Sequence, residues 1–256
     1  MKVCAYCKKA GKMTREEVFP KSQVRRTPNY KANIDHSRPG KPPEVLPVIR
    51  DVCEECNNVR LGSLDVYGAI LADEYFDVFL EKPVELDFRC DTERLLRWLL
   101  KLLFNSVRAS GLRVDAYEPL CPFILGNTSG HPGIELNLLV GLIEPFTPPG
   151  SKEVVYPEHH GFADFADTDF GVGVPAKEYS TLCRGVFLNS YLFFVVAWRT
   201  NVGLPVRRRV LELLNKQSLT DLARPDCSVH LSGACMTAAA VMFSTLSGNI
   251  IFDKNV

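Results

Sequence analysis

Two cysteine pairs have the spacing that most clearly predicts chemistry in this sequence. Cys4 and Cys7 form one C-x-x-C, and Cys53 and Cys56 form another. Two residues between thiols let both sulfurs of a tight turn reach one ion, and four sulfurs complete the tetrahedral set that Zn²⁺ prefers. A single C-x-x-C is also typical of a redox pair, but two of them in a segment without a βαβ pattern favour metal binding. We therefore predict one structural zinc held by all four cysteines.

Acidic and amide side chains lie between and after the two pairs. Glu16 and Glu17 precede Val18-Phe19-Pro20, a short strand pattern that the proline ends. Asn57 follows the second pair, at the start of a segment with leucines at near-helical spacing. Because carboxylate and amide oxygens are natural ligands of a hard cation, Glu16, Glu17 and Asn57 are candidates to hold one. The alternatives are an exposed strand residue for Glu17 and a helix cap for Asn57.

In their order and spacing, these segments resemble the HNH endonuclease family, specifically its four-cysteine, zinc-stapled ββα-metal branch. The matching pieces are the first C-x-x-C, the strand Glu-Glu-Val-Phe-Pro-Lys-Ser, C-x-x-C-Asn-Asn and Leu64-Asp65, which together cover residues 1 to about 75. The resemblance implies metal-dependent hydrolysis of DNA phosphodiester bonds, with one Mg²⁺ or Mn²⁺ held by Glu16 and Asn57 and a base that activates water. It also implies a role in bacterial defence or in a mobile element.

The sequence departs from this family at the catalytic base, because Glu17 stands where the family has a histidine. Three interpretations remain open. Glu17 could act as the base, although a carboxylate beside a metal ion is normally a weak one. His36 could reach the site from the following loop, or the site could be impaired, by a natural change or by an introduced substitution. The alternatives to an endonuclease are a non-cleaving, zinc-stapled nucleic-acid-binding module and a protein-interaction module.

Positive charge is concentrated at one end of the chain. The 30 basic and 30 acidic residues cancel overall, which excludes a uniformly basic nucleic-acid binder. Residues 1–41, however, hold eleven Lys or Arg and three acids, a local charge of +8. Such a segment is typical of a surface that meets a polyanion, and the alternative is a solvated charged face. We expect a phosphate-binding surface for double-stranded DNA beside the zinc unit. Its predicted residues are Lys21, Arg25, Arg26 and Arg38.

The elements that position these residues predict an α+β protein with two domains. Residues 1–75 would form an HNH-like ββα-metal zinc domain, and residues 76–256 an α+β recognition or partner domain with an antiparallel sheet and flanking helices. A linker is expected over 76–90. The predicted strands of the second domain are 135–144, 154–156, 161–165, 170–174 and 187–199, with a basic helix over 206–214.

A leucine-rich helix is predicted between the linker and the first of these strands. It should start at Asp91 or Thr92 and end at Gly111, with a wide apolar face. Its cations are expected to be mainly solvated, with nucleic-acid contact as the alternative. They are Arg94, Arg97, Lys101 and Arg108.

Secretion and membrane insertion are not predicted. The first residues have no signal-peptide pattern, and the most apolar stretch, Gly185–Trp198, is shorter than the roughly 18 residues of a membrane span. We therefore expect a cytoplasmic protein. In a reducing compartment, nine cysteines favour metal ligands and buried thiols over disulfides.

Overall fold

Two compact units make up the protein, as a computed structural model shows. Its description covers residues 2–20, 48–81, 84–129, 134–157, 160–222 and 227–237. Unit 1 comprises Met1–Asp73 and Glu93–Ile134, and unit 2 comprises Glu74–Thr92 and Glu135–Val256. The predicted α+β class is confirmed, because a hairpin and helix carry the cysteine pairs and a mixed sheet with helices follows. The boundary predicted at residue 75 remains a prediction.

Unit 1 begins with a two-stranded antiparallel hairpin. Strand β1 (Met13–Glu17) pairs with β2 (Val48–Cys53). The register shifts between Thr14 and Glu16, because β2 contributes one residue more than β1 there. This is a β-bulge, which bends the strand and turns side chains locally. The strand predicted to end at Pro20 lies earlier in the chain, because β1 includes Glu16 and Glu17 and ends before Val18.

A helix follows the second cysteine pair, as the leucine spacing predicts. Its central part is α1 (Gly62–Leu71), and wider π-helical segments, Cys56–Leu61 and Ala72–Phe76, extend it at both ends. Leu61, Leu64 and Leu71 are buried at this spacing. The helix therefore holds Cys56 and the residues that follow it in a rigid element.

The long helix of unit 1, α2 (Thr92–Ala109), starts where the sequence predicts. Its leucines form a broad buried face. Gly111 follows at φ +67°, a left-handed conformation that ends the helix at little cost for glycine. Gly68 of α1 allows a close approach, because a Cβ there would lie 2.4 Å from the Trp98 ring. A short helix, α3 (Cys121–Ile124), completes this unit.

Unit 2 is built on a mixed sheet whose strand order is β10-β4-β7-β6-β5, with β8 also paired to β4. The parallel pair is β10 with β4, and the others are antiparallel. The strands are β4 (Leu136–Glu144), β5 (His160–Asp164), β6 (Ser180–Leu188), β7 (Tyr191–Trp198), β8 (Thr220–Asp221) and β10 (Met236–Thr237). The sheet therefore contains the predicted antiparallel core with one added parallel edge.

A tight hairpin turn interrupts the strand predicted over 187–199. Asn189 adopts φ +51° between β6 and β7, and its amide donates to the Phe76 carbonyl at 2.8 Å. Asparagine tolerates this left-handed conformation better than most residues. The apolar run is therefore two strands, and every residue of β7 is buried.

Two further segments differ from the sequence predictions. The expected linker contains β3 (Glu85–Cys90), which pairs antiparallel with β9 (Cys227–Ser232). The expected strand 170–174 is a loop, because the Asp169 carboxylate accepts hydrogen bonds from the following backbone N–H groups at 2.8–3.2 Å. Residues 154–156 form only a single bridge to Phe146. The basic helix is confirmed as α4 (Leu204–Asn215).

Aromatic side chains fill the core of unit 2. Phe165 lies 4.8 Å from Phe194 between ring centroids, and Trp198 and Leu214 are buried in the same cluster. Gly185 leaves room for this packing, since a Cβ there would lie 2.8 Å from the Phe165 ring. In the described part of the chain, no helix has the length and apolarity that crossing a membrane requires.

Candidate metal centre

Four cysteine sulfurs converge at the base of the hairpin. Cys4 and Cys7 lie in the turn before β1, Cys53 is the last residue of β2, and Cys56 opens the following helix. One ligand atom from each lies within 4.8 Å of all the others, and the Sγ atoms of Cys7 and Cys53 are 3.7 Å apart. The two pairs predicted from the sequence to share an ion are therefore brought together.

The donor set fits zinc. A tetrahedral centre with Zn–S bonds of about 2.3 Å separates its sulfurs by roughly 3.8 Å, close to the distance between Cys7 and Cys53. Four sulfurs without an open position are typical of a structural rather than a catalytic zinc. Across the residues that the structure describes, no other group of three or more His, Cys, Asp or Glu side chains could hold an ion.

Backbone hydrogen bonds shape the first cysteine turn. The Cys4 N–H donates to the Lys9 carbonyl at 2.9 Å, and Lys8 adopts φ +60°. The Cys53 N–H donates to the Cys4 sulfur at 3.3 Å. Burial opposes ionisation of Cys4, but hydrogen bonds from the backbone N–H groups of Cys53, Cys7 and Tyr6 outweigh it and lower the Cys4 pKa to about 7. The turn therefore favours the thiolate, the form that binds a metal.

Glu16, predicted as a ligand of a catalytic ion, is buried against α2. Its carboxylate lies 2.7 Å from the Lys101 ammonium and accepts a hydrogen bond from the Asn105 amide at 3.1 Å. Burial raises the pKa of Glu16 above its usual range, although the Lys101 charge opposes this shift. The carboxylate oxygens that would bind a hard cation therefore already face a cation of the chain itself.

Lys101 is the centre of this arrangement. Its side chain is 0% exposed, and its ammonium lies 2.5 Å from the Asp65 carboxylate as well as close to Glu16. The Trp98 indole N–H also donates to Asp65, at 3.3 Å. Burial would lower the Lys101 pKa, but the two carboxylates outweigh burial and raise it. The lysine is therefore a permanent internal positive charge.

The polar network continues along α2 to the hairpin. The side-chain Oδ1 of Asn105 accepts hydrogen bonds from the Tyr6 hydroxyl at 2.7 Å and from the Arg108 guanidinium at 2.6 Å. Arg108 also pairs with Asp51 of β2 at 2.5 Å. The expectation of mainly solvated cations on α2 is wrong for Lys101 and Arg108, whose side chains are 0% and 7% exposed.

A sequence signal for this network does exist. Trp98, Lys101, Asn105 and Arg108 recur every three or four residues, so they lie on one stripe of α2. Polar residues aligned on a stripe of an otherwise leucine-rich helix indicate buried polar contacts, whereas solvated residues should lie opposite the leucines.

Asn57 contacts the first strand. Its amide group donates to the Thr14 hydroxyl at 2.8 Å and to the Arg15 carbonyl at 2.9 Å. Glu17 lies next to Glu16 in β1, and successive strand side chains point to opposite faces. The two carboxylates therefore lie on opposite faces of β1, and the predicted roles of Glu16 and Asn57 at a Mg²⁺ or Mn²⁺ site remain predictions.

The remaining predicted site residues lie outside the described part of the chain. They are Lys21, Arg25, Arg26, His36 and Arg38. Their predicted roles in DNA binding and catalysis stay predictions.

Comparisons of this chain with family models, with curated proteins and with solved structures give no match. The function is therefore inferred from the site's own chemistry.

Proposed function

We propose that the protein is a zinc-stapled nucleic-acid-binding protein that does not cleave its ligand. Zn²⁺ is held by Cys4, Cys7, Cys53 and Cys56, which fixes the hairpin to the helix that follows it. We infer the absence of cleavage from one observation: the Lys101 ammonium lies 2.7 Å from the Glu16 carboxylate.

Competition for the same oxygens is the physical reason. A divalent ion at Glu16 would have to replace the Lys101 ammonium, which is fully buried and bonded to Asp65 as well. Two cations cannot share one buried carboxylate at contact distance without strong repulsion. The lysine thus supplies the positive charge that the resemblance assigns to a metal ion, but it cannot activate water or polarise a phosphate as a metal does.

The positive charge of the N-terminal segment supports the proposed nucleic-acid binding. The segment 1–41 carries +8, and its described cations lie mostly at the surface. Phosphate contacts from such a surface give affinity that depends steeply on salt and little on sequence. The exposed cations are Lys2, Lys8, Lys9, Lys12 and Arg15.

An endonuclease is the second candidate, favoured by the position of Glu17. This residue ends β1 and is half-buried, where the family resemblance puts the base. In that case the catalytic ion, Mg²⁺ or Mn²⁺, would need ligands besides Glu16. A protein-interaction role, with unit 2 contacting a partner, is the remaining alternative.

Binding and cleavage of a duplex, measured side by side, test the proposal. The full chain should bind a labelled duplex yet leave supercoiled plasmid intact with Mg²⁺, Mn²⁺ or EDTA, and Glu17→His should not change this. Metal-dependent nicking that Glu17→Ala reduces by about 10²–10⁴ would establish the endonuclease instead. The absence of both binding and nicking would favour the protein-interaction role.

A further inference from the structure

A basic cavity lies on the hairpin of unit 1. It has a volume of about 340 Å³ and is lined by Lys2, Gly11, Met13, Thr14, Arg15 and Arg50. The three charged side chains are all exposed, and none of the lining residues is acidic. The cavity therefore presents concentrated positive charge to solvent.

Neighbouring carboxylates do not neutralise this charge. Glu16 is paired with Lys101, and Asp51 is paired with a guanidinium of α2 at 2.5 Å. Within the ranges that the structure describes, none of the three cavity cations forms an ion pair. Glu16 and Asp51, which directly follow Arg15 and Arg50 in the sequence, are thus bonded to cations on the α2 side.

The β-bulge brings the two arginines together. Arg15 lies at the bulge, where β2 supplies both Arg50 and Asp51 opposite it. The Asn57 amide donates to the Arg15 carbonyl at 2.9 Å and so holds this backbone in place. Like charges on neighbouring strands repel each other, which disfavours the hairpin unless an anion lies between them. The arrangement therefore suits an anionic ligand.

We propose that this cavity binds a phosphate group of a nucleic-acid backbone. The proposal rests on the nucleic-acid binding inferred above and names one site for it. Planar guanidinium groups match the paired oxygens of a phosphate, and the ammonium of Lys2 adds a third donor. Such a contact fixes the position of the duplex without reading its bases.

Duplex binding by cavity variants of the full chain tests the site. Arg15→Gln and Arg50→Gln should each weaken binding by roughly five- to tenfold at about 0.1 M salt and reduce the slope of log K against log salt by about one. The matched control is Arg113→Gln, which removes the same charge from an exposed loop of unit 1 outside the cavity and should have a much smaller effect. Zinc content and thermal unfolding should be the same in all variants.

A titration with inorganic phosphate separates failure of the site from failure of the function. Wild-type chain should show phosphate-dependent NMR shifts at the Arg15 and Arg50 amides that Arg50→Gln abolishes. If the duplex binds but the cavity variants bind it as tightly as wild type, or if Arg113→Gln loses as much, the site is wrong and the proposed function stands. If no duplex binds, the proposed function fails, and the absence of phosphate shifts would overturn the site as well.

Discussion

The buried ammonium of Lys101 depends on the two carboxylates that face it. A charge removed from water costs several kcal/mol, and only close, well-oriented partners offset that cost. Glu16 and Asp65 provide these partners, at 2.7 and 2.5 Å. The converse also holds, because without the lysine the buried Glu16 and the partly buried Asp65 would be like charges with no counter-charge between them.

We expect Lys101→Met to destabilise the protein by about 3–5 kcal/mol, because it leaves the buried Glu16 carboxylate and the partly buried Asp65 carboxylate without their counter-charge. Urea unfolding followed by circular dichroism measures this change. The double variant Lys101→Met/Glu16→Gln should recover part of the loss, since it removes one of the unpaired charges. Lys12→Met, at an exposed pair with Glu54, is the control and should unfold like wild type. Equal stability of Lys101→Met and Lys12→Met would contradict the role given to the network.

For single residues, the sequence predicted the four cysteines of the cluster but not the partner of Glu16. Cys4, Cys7, Cys53 and Cys56 could be paired because thiol spacing in a tight turn depends on local geometry alone. The partner of Glu16 could not be found in this way. Lys101 is distant in sequence, and whether a lysine is solvated or buried depends on which element covers it.

Packing between α1 and α2 depends on the absence of a side chain at Gly68. A Cβ there would lie 2.4 Å from the Trp98 ring, and the indole is held by its hydrogen bond to Asp65. Glycine normally costs a helix about 1 kcal/mol relative to alanine. Here the close approach that it allows outweighs this cost.

Gly68→Ala should therefore destabilise the protein although it improves helix propensity. Overpacking of this kind costs about 1–3 kcal/mol, and the propensity gain recovers about 1 kcal/mol. Thermal unfolding measures the net loss. Trp98→Phe should make the same substitution less costly, because the smaller ring frees the space. Gly11→Ala is the control, since nothing lies within 4 Å of its added Cβ. A more stable Gly68→Ala protein would contradict this packing.

Elements defined by local signals were predicted better than those defined by distant partners. The α2 helix begins at Thr92 as expected, because its leucine periodicity lies within the segment itself. Strand β3 was mistaken for a linker, because its partner β9 is far away in the sequence. The loop after Asp169 has the β-branched and aromatic residues typical of a strand. Its backbone N–H groups donate to the Asp169 carboxylate and not to a neighbouring strand.

The whole molecule has two units, and only one of them contains the four-cysteine cluster. All four sulfurs belong to unit 1, whose hairpin has little core of its own. Small units of this kind commonly require a metal for folding. Unit 2 has its own aromatic core around Phe165 and Phe194.

Removal of the metal should therefore unfold the hairpin and leave unit 2 folded. A chelator should abolish hydrogen-exchange protection in β1 and β2 while β6 and β7 remain protected. Cys53→Ser should do the same and should lower the zinc content from one per chain to near zero, as measured by elemental analysis. The control is Cys121→Ser, a buried thiol of the same unit outside the cluster, which should retain zinc. Full protection of the hairpin in metal-free protein would contradict this dependence.

The pairing of β3 with β9 also determines when unit 2 can be completed on the ribosome. Glu85 lies opposite Ser232, so the first strand of the pair is synthesised well before its partner. At roughly 5–20 residues per second, the interval is on the order of ten seconds. All residues of unit 1 precede Glu135, so they are synthesised before β9. Until β9 emerges, β3 is an unpaired strand edge, which makes the nascent chain a substrate for chaperones.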